Sequence, residues 1–142
     1  MVEFEIKDGI AIIPEGTTVI AESAFEGRAD LTGIRLPSSL RTIQPFAFRD
    51  CTGLTSIDFP LNLKEIGKYA FAGCCCLTSI SIPEGITRIE NGTFENCTGL
   101  TSIEFPPTLK EFCEFAFSGC AGLRSIELPG NVMSIGEYLF RD

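Results

Sequence analysis

The chain has 142 residues, 44% of them hydrophobic, and carries 19 acidic against 11 basic residues, a formal net charge of −8. This acidic balance excludes nucleic acids and anionic membranes as partners, because phosphate binding needs clustered Lys and Arg. The chain has no histidine, which removes the commonest general base and the Ser-His and Cys-His nucleophile pairs. We therefore predict a protein that is not an enzyme, with no catalytic residue and no cofactor.

The N-terminal segment predicts a hairpin. Val2, Phe4 and Ile6 alternate with polar residues up to the Asp8-Gly9 pair, which is a strong hairpin turn signal. Residues 1–13 are expected to form an N-terminal β-hairpin cap on a stack of repeats. Such a cap covers apolar surface and the strand edge that the first repeat would otherwise expose.

The first residues also indicate the cellular compartment of the protein. Glu3 and Glu5 stand where a secretory leader would be basic, and no basic segment is followed by an apolar stretch. The sequence therefore predicts neither a signal peptide nor insertion into a membrane. If Met1 is the native start, this favours a cytoplasmic protein.

After the cap, the chain is a series of repeats. Proline recurs without a break at every twenty-third position, at Pro14, Pro37, Pro60, Pro83, Pro106 and Pro129. Leucine, isoleucine and phenylalanine keep the same interval, and positions separated by this interval are called a column below. Such a period is typical of a solenoid, in which stacked coils share one core. We predict one domain over residues 1–142, with about six coils.

Local patterns place three elements in each coil. Residues 55–59 alternate polar and apolar types before a proline that cannot donate to a ladder, which predicts a short strand and, by stacking, a parallel sheet. Residues 63–66 predict a second extended segment. Residues 67–73 predict a short helical or 3₁₀ turn that ends at a glycine.

Seven cysteines invite a chemical role. Four share one column, namely Cys51, Cys74, Cys97 and Cys120. We predict that these are inward thiols that pack against the next coil and donate weakly to a backbone carbonyl. Neighbours about 4.8 Å apart with parallel Cβ directions disfavour a disulfide. Cys75 and Cys76 fall at a surface corner, where we expect exposed, oxidisable thiols whose redox state stays open. Four converging zinc ligands are not evident, so no metal site is predicted.

Two stretches carry a family resemblance, LTSISIP at residues 77–83 and IGKYAFAGC at residues 66–74. The pattern resembles the BspA-type class of the leucine-rich repeat superfamily. The resemblance implies an α/β solenoid, a right-handed superhelix with a parallel β-sheet on the concave face and short helical or 3₁₀ turns on the convex side. It also implies a secreted or cell-surface microbial protein that binds other proteins or host surfaces, without catalytic residues.

The first functional hypothesis is a non-catalytic protein-protein interaction module of the adhesion type, which binds a protein ligand on the concave sheet face. The alternative is a stand-alone intracellular scaffold or inhibitor built on the same repeats. The candidate ligand-binding residues point outward from that sheet and are Arg35, Ser56, Asp58, Ser79, Ser81, Ser102, Glu104, Ser125 and Glu127. The acidic members form a predicted strip that favours a ligand with a basic surface.

The C-terminal coil shows no comparable cap. Ile126, Leu128, Val132, Ile135 and Phe140 are expected to be partly uncovered there. Two explanations stay open, and we favour a terminal coil that the array tolerates without a cap. The other is an end-to-end homodimer through this face.

Overall fold

The computed structural model describes residues 4–141, which form eleven strands of two or three residues. In chain order they are β1 (Ile6–Lys7), β2 (Ile10–Ile12), β3 (Val19–Ile20), β4 (Gly33–Arg35), β5 (Thr42–Ile43), β6 (Glu65–Ile66), β7 (Ser79–Ser81), β8 (Arg88–Ile89), β9 (Ser102–Glu104), β10 (Glu111–Phe112) and β11 (Ser134–Ile135).

An antiparallel hairpin opens the described chain. β1 pairs with β2 so that Ile6 lies opposite Ala11. The turn between them uses Asp8 and Gly9 at φ values of 53° and 82°, the left-handed conformations that a two-residue hairpin loop requires. β2 then pairs in parallel with β4, and the ring of Phe4 stacks on Phe25 at 5.7 Å. Residues 1–3 of the predicted cap lie outside the described residues.

The later coils stack in parallel, and residues in one column lie side by side. On one side of the coils, called the strand face, β2 pairs with β4 and β7 pairs with β9. On another side, β5 joins β3 to β6, and β10 joins β8 to β11. The predicted β-solenoid with parallel strands is confirmed. Of the second extended segment, predicted at residues 63–66, the last two residues form a strand, β6.

The strand face is less continuous than we predicted. Residues 56–58 and 125–127 were expected to be strands, and neither segment is one in the structure. Thr55 N donates to Thr32 O at 3.1 Å, but within residues 4–141 no backbone hydrogen bond links 56–58 to either neighbouring coil. Ser56 and Asp58 are exposed, so water can hydrate the backbone groups that a sheet would pair.

The predicted helical or 3₁₀ turns are wrong, since no helix occurs among residues 4–141. In residues 67–73 only alternate amides bond within the coil, as when Ala70 N donates to Gly67 O at 3.2 Å. The amides between them donate to the next coil, from Tyr69, Phe71 and Gly73 to the carbonyls of Asn91, Thr93 and Glu95, at 2.9, 2.9 and 2.7 Å. A helix needs consecutive internal hydrogen bonds, so this lateral bonding produces linked turns instead.

A phenylalanine stack runs through the core. Its members are Phe4, Phe25, Phe48, Phe71, Phe94, Phe117 and Phe140, and successive ring centroids lie between 5.0 and 6.0 Å apart. The five rings from Phe25 to Phe117 are at most 1% exposed. Buried leucine and isoleucine columns surround this stack. Because each of these five rings contacts rings on both sides, the core is continuous along the array.

Close packing between coils predicts a cost for added volume at Gly99. A Cβ at this position would overlap the carbonyl oxygen of Cys75 in the preceding coil. We expect Gly99→Ala to lower the free energy of unfolding by about 2 kcal/mol, since backbone atoms cannot move aside as a side chain can. Urea denaturation followed by circular dichroism measures this change.

Gly130→Ala is the matched control. A Cβ at position 130 meets no atom within 4 Å, so alanine there should leave stability unchanged or raise it by a few tenths of a kcal/mol through the unfolded chain. Equal effects of the two substitutions would show that Gly99 is not packed against the backbone of the preceding coil as described.

Candidate functional site

Six of the nine predicted binding residues share a shallow groove on the strand face. The parallel register places Ser79 opposite Ser102 and Ser81 opposite Glu104. Together with Ser56 and Asp58 these side chains line a depression of about 410 Å³, called the strand-face groove. The lining adds Ile57, Phe59, Leu61, Ile80 and Pro83.

The other three predicted residues are exposed but lie outside this groove. Arg35 ends β4, two coils away from β7. Ser125 lines a separate cavity of about 420 Å³ at the C-terminal end, together with apolar residues such as Leu128 and Phe140. Glu127 lines neither. The predicted acidic strip therefore contributes two carboxylates to the strand-face groove, not three.

Leu61 is a groove residue that the sequence reasoning missed. Its side chain is 84% exposed, the largest such value among the exposed apolar residues. Its column otherwise holds Glu15, Ser38, Glu84, Pro107 and Gly130. A large aliphatic side chain in a column of small or polar residues was the available signal.

The charge of the strand-face groove is uncompensated. No basic residue lines it, and neither Asp58 nor Glu104 makes an ion pair with any residue in the part of the chain described. Both carboxylates are exposed. They are therefore available to a cationic group of a ligand.

The cysteine column is structural, as predicted. Each thiol is buried and donates to a phenylalanine carbonyl 26 residues earlier, from Cys51, Cys74, Cys97 and Cys120 to Phe25, Phe48, Phe71 and Phe94, at 3.1, 3.1, 3.2 and 3.0 Å. Burial raises the pKa of Cys51 to about 12 and that of Cys120 to about 11. Thiols held in the protonated form are poor nucleophiles. Cys76 is exposed, as expected, and Cys75 is half-buried.

A polar cluster surrounds the remaining thiol. Arg88 donates to the sulfur of Cys113 at 3.1 Å and pairs with Glu90 at 3.3 Å and Glu111 at 3.5 Å. Burial raises the pKa of the Cys113 thiol, although the Arg88 hydrogen bond acts in the opposite direction. The arginine is thus engaged in a structural network. Residues 4–141 bring together no group of three or more His, Cys, Asp or Glu side chains suited to a metal ion.

The sequence did not predict a second set of residues, which lies in the turn after the second extended segment. One column has left-handed backbone in every coil, with φ between 55° and 62° at Ser23, Phe46, Tyr69, Gly92, Phe115 and Tyr138. This conformation costs an L residue about 1–2 kcal/mol, whereas glycine adopts it freely. Four aromatic residues nevertheless occupy it.

These aromatic rings stack in two pairs, each with an arginine. Phe46 stacks on Tyr69 at 5.6 Å, and the Arg49 guanidinium lies 5.5 Å from the Phe46 ring centroid. Phe115 stacks on Tyr138 at 5.2 Å, with Arg141 over the Tyr138 ring at 5.0 Å. Between the pairs stands Gly92, where a Cβ would overlap the Tyr69 ring.

Stacked coils of equal length, with repeated leucine, isoleucine and phenylalanine columns, define a leucine-rich repeat solenoid. Sequence comparison gives the class within it, because residues 11–142 match the BspA type leucine rich repeat region in six copies. The chain belongs to the BspA-type leucine-rich repeat family, as the sequence motifs indicated. Proteins built from these repeats are generally non-catalytic interaction modules. A search of curated proteins finds no match.

Solved structures agree with this assignment. The chain is 34% identical to a leucine-rich repeat protein of T. pallidum (TM-score 0.85, covering 89% of this chain and 59% of that one). It is 39% identical to one from Bacteroides ovatus (TM-score 0.88, 93% and 34%). A protein from Eubacterium ventriosum, at 23% identity and TM-score 0.68 over 92% of this chain and 41% of that one, shares the fold. The chain thus spans less than two thirds of these relatives. None of residues 4–141 forms a helix long and apolar enough to cross a membrane.

Proposed function

We propose that this chain is a non-catalytic module that binds a protein partner with a basic surface in the strand-face groove. The observation that carries the proposal is a pair of carboxylates, Asp58 and Glu104, that make no ion pair within residues 4–141 and lie beside the exposed Leu61. Surface adhesion is the function that the family resemblance favours. An intracellular scaffold or inhibitor is the alternative, and it would use the same groove.

In the groove, the apolar side chain and the charged side chains contribute differently to binding. Covering a largely exposed leucine contributes up to about 2 kcal/mol, whereas an exposed ion pair contributes about 1 kcal/mol or less. Leu61 would therefore supply most of the binding energy. Asp58 and Glu104 would select a basic partner and speed its approach. The serine hydroxyls can donate or accept hydrogen bonds along the partner's polar atoms.

The test is a charge reversal in the groove. We expect Asp58→Lys with Glu104→Lys to reduce retention of specific partners at least tenfold, because two attractive contacts become repulsive. Immobilised wild-type and variant chains are compared in pull-downs from extracellular-matrix and cytosolic extracts side by side, and the retained proteins are quantified by mass spectrometry.

The matched control is Glu22→Lys with Glu137→Lys, which makes the same change of net charge at exposed positions outside the groove. It should keep the partners that the groove variant loses. If both variants lose the partners, the change in net charge explains the loss, and the groove is not the binding site. The extract that supplies the partner separates adhesion from an intracellular role.

The end-to-end homodimer stays a prediction. The apolar side chains on which it depends include Leu128, Ile135 and Phe140, which are 42%, 53% and 49% exposed. Leu128 and Phe140 also line the C-terminal cavity, which supports the proposal that a second copy packs there, since contiguous exposed apolar surface favours association.

A further inference from the structure

One interface between coils lacks the strand pairing that the others have. It lies between residues 55–67 and residues 78–90, and we call it the seam. On the strand face, β7 pairs with β9 but not with 56–58. On the side of the second extended segments, called the flank, β6 ends one sheet and β8 begins another. Within residues 4–141, no other interface between neighbouring coils is unpaired on both sides.

The same interruption is visible along a single column of the flank. Lys64 N donates to Arg41 O at 2.8 Å, and Lys110 N donates to Thr87 O at 2.8 Å. The amide of Thr87, which stands between them in this column, has no backbone acceptor in the described part of the chain. The amide of Glu90 likewise has none, although the equivalent amides in the neighbouring coils donate to the coil before them. Hydrogen bonding on the flank therefore stops at the seam and resumes after it.

No ion pair bridges the seam either. Glu65 and Arg88 are neighbours in one column, on opposite sides of the seam, and carry opposite charges. Arg88 pairs instead with Glu90 at 3.3 Å and Glu111 at 3.5 Å, both on its own side. Glu65 makes no ion pair with any residue from 4 to 141. A cavity of about 200 Å³ lies here, lined by three residues from each side. Cross-strand charge pairs, which stabilise a sheet, are thus missing as well.

The two coils remain joined along one edge, the corner formed by residues 67–73 and 90–96. The amides of Tyr69, Phe71 and Gly73 donate across the seam there, at 2.9, 2.9 and 2.7 Å. The core also continues, since the Phe71 and Phe94 rings stack at 5.8 Å. Hydrogen bonds along one edge, with none on two other sides, define an axis about which packed elements can rotate.

We propose that the seam is a hinge, at which the coils before it and the coils after it tilt relative to each other about the corner hydrogen bonds. The strand-face groove straddles this hinge, because Asp58 and Leu61 lie before the seam and Ser81 and Glu104 lie after it. Tilting changes the separation of the two carboxylates without unpairing any strand. Its consequence for binding rests on the proposed function: the hinge lets the groove adjust its width to the partner.

Nuclear magnetic resonance of the free chain tests the hinge without a partner. Ile66 and Ile89 border the seam, whereas Ile43 and Phe112 occupy the same column between strands that are paired on both sides. Amide relaxation dispersion, which detects hinge motion between microseconds and milliseconds, should be present at Ile66 and Ile89 and absent at Ile43 and Phe112. Absence at the first two residues, or equal dispersion at all four, overturns the proposal.

An inserted methyl group gives a second test. A Cβ at Gly85 would overlap the carbonyl oxygen of Leu63 across the seam, and a Cβ at Gly67 would overlap the backbone of Pro45 at a hydrogen-bonded interface. Tilting at the seam relieves the first overlap without breaking a backbone hydrogen bond, whereas relief of the second breaks several. Gly85→Ala should therefore lower the urea midpoint by less than about half as much as Gly67→Ala. Equal shifts would contradict the hinge.

The groove variant Asp58→Lys with Glu104→Lys separates the hinge from the proposed function. Dispersion at Ile66 and Ile89 should persist in this variant, because the hinge depends on missing lateral bonds and not on the charges of the groove. Its disappearance would overturn the hinge. Unchanged retention of partners by the same variant, with dispersion intact, would contradict the proposed function alone.

Discussion

Phe71→Ala should lower the free energy of unfolding by about 4 kcal/mol. The ring is fully buried and stacks on Phe48 at 5.0 Å and on Phe94 at 5.8 Å, with Phe59 edge-on at 5.6 Å. Truncation of a buried phenylalanine leaves a cavity that typically costs about 3–5 kcal/mol, and here it also removes stacking between three coils. Since small domains are stable by only about 5–15 kcal/mol, the variant should be close to unfolding. Urea denaturation followed by circular dichroism gives the value.

The end of the same stack supplies the control. Phe140 contacts one ring of the stack, Phe117 at 6.0 Å, and is 49% exposed. Phe140→Ala should therefore cost about 1 kcal/mol, and Phe71→Leu an intermediate amount. If the two alanine variants were equally stable, the stack would not be the continuous core that we describe.

The solenoid could be predicted because the apolar residues that cause the coils to stack recur in the sequence at a fixed interval. A coil whose Leu77, Ile80 and Phe71 positions recur at one constant interval cannot bury these side chains alone, so stacking follows. The inward thiols followed from the same argument, because Cys74 shares the register of the apolar columns. Column membership fixes which side of a coil a residue faces, and that much needs no structure.

The turn geometry could not be predicted in this way. Residues 67–73 contain Ala70 and other residues that tolerate a helix, and local propensity favoured one. The outcome depends instead on where each amide finds its acceptor, and Tyr69 and Phe71 donate to carbonyls of the following coil. A competition between local and lateral hydrogen bonds is decided by the spacing of the coils, which local sequence patterns do not record.

The candidate site was predicted only in part, because the sequence argument treated the coils as equivalent. Outward columns correctly identified exposed residues such as Asp58 and Glu104, but a column argument treats all coils as equivalent. The strand-face groove lies where the sheet is interrupted at 56–58, and Glu127 falls beyond it. Leu61 lines the groove, but it differs from every other residue of its column. Averaging over repeats hides these differences.

Alkaline pH should destabilise the fold through the cysteine column. Burial raises the pKa of Cys51 to about 12 and of Cys120 to about 11, and it raises the pKa values of Cys74 and Cys97 as well. An unfolded thiol has an ordinary pKa of 9.0, so the unfolded chain loses these protons first. The contribution to stability is therefore full below about pH 9 and is lost as pH rises toward the folded values. One pH unit above the ordinary value each thiol costs about 1.4 kcal/mol, so the four together cost about 5.5 kcal/mol.

The measurement is the free energy of unfolding in urea between pH 8 and pH 10, with reductant present throughout. Cys74→Ala with Cys97→Ala should roughly halve the decline over this range. The cavities that it creates lower stability equally at every pH, whereas the slope depends on the number of protons released on unfolding. Cys76→Ser is the matched control, since that thiol is exposed and its removal should leave most of the slope intact. A decline that is the same in all three chains would mean that groups other than the buried column release the protons. The thiol hydrogen bonds to Phe48 and Phe71 would then be incidental to alkaline stability.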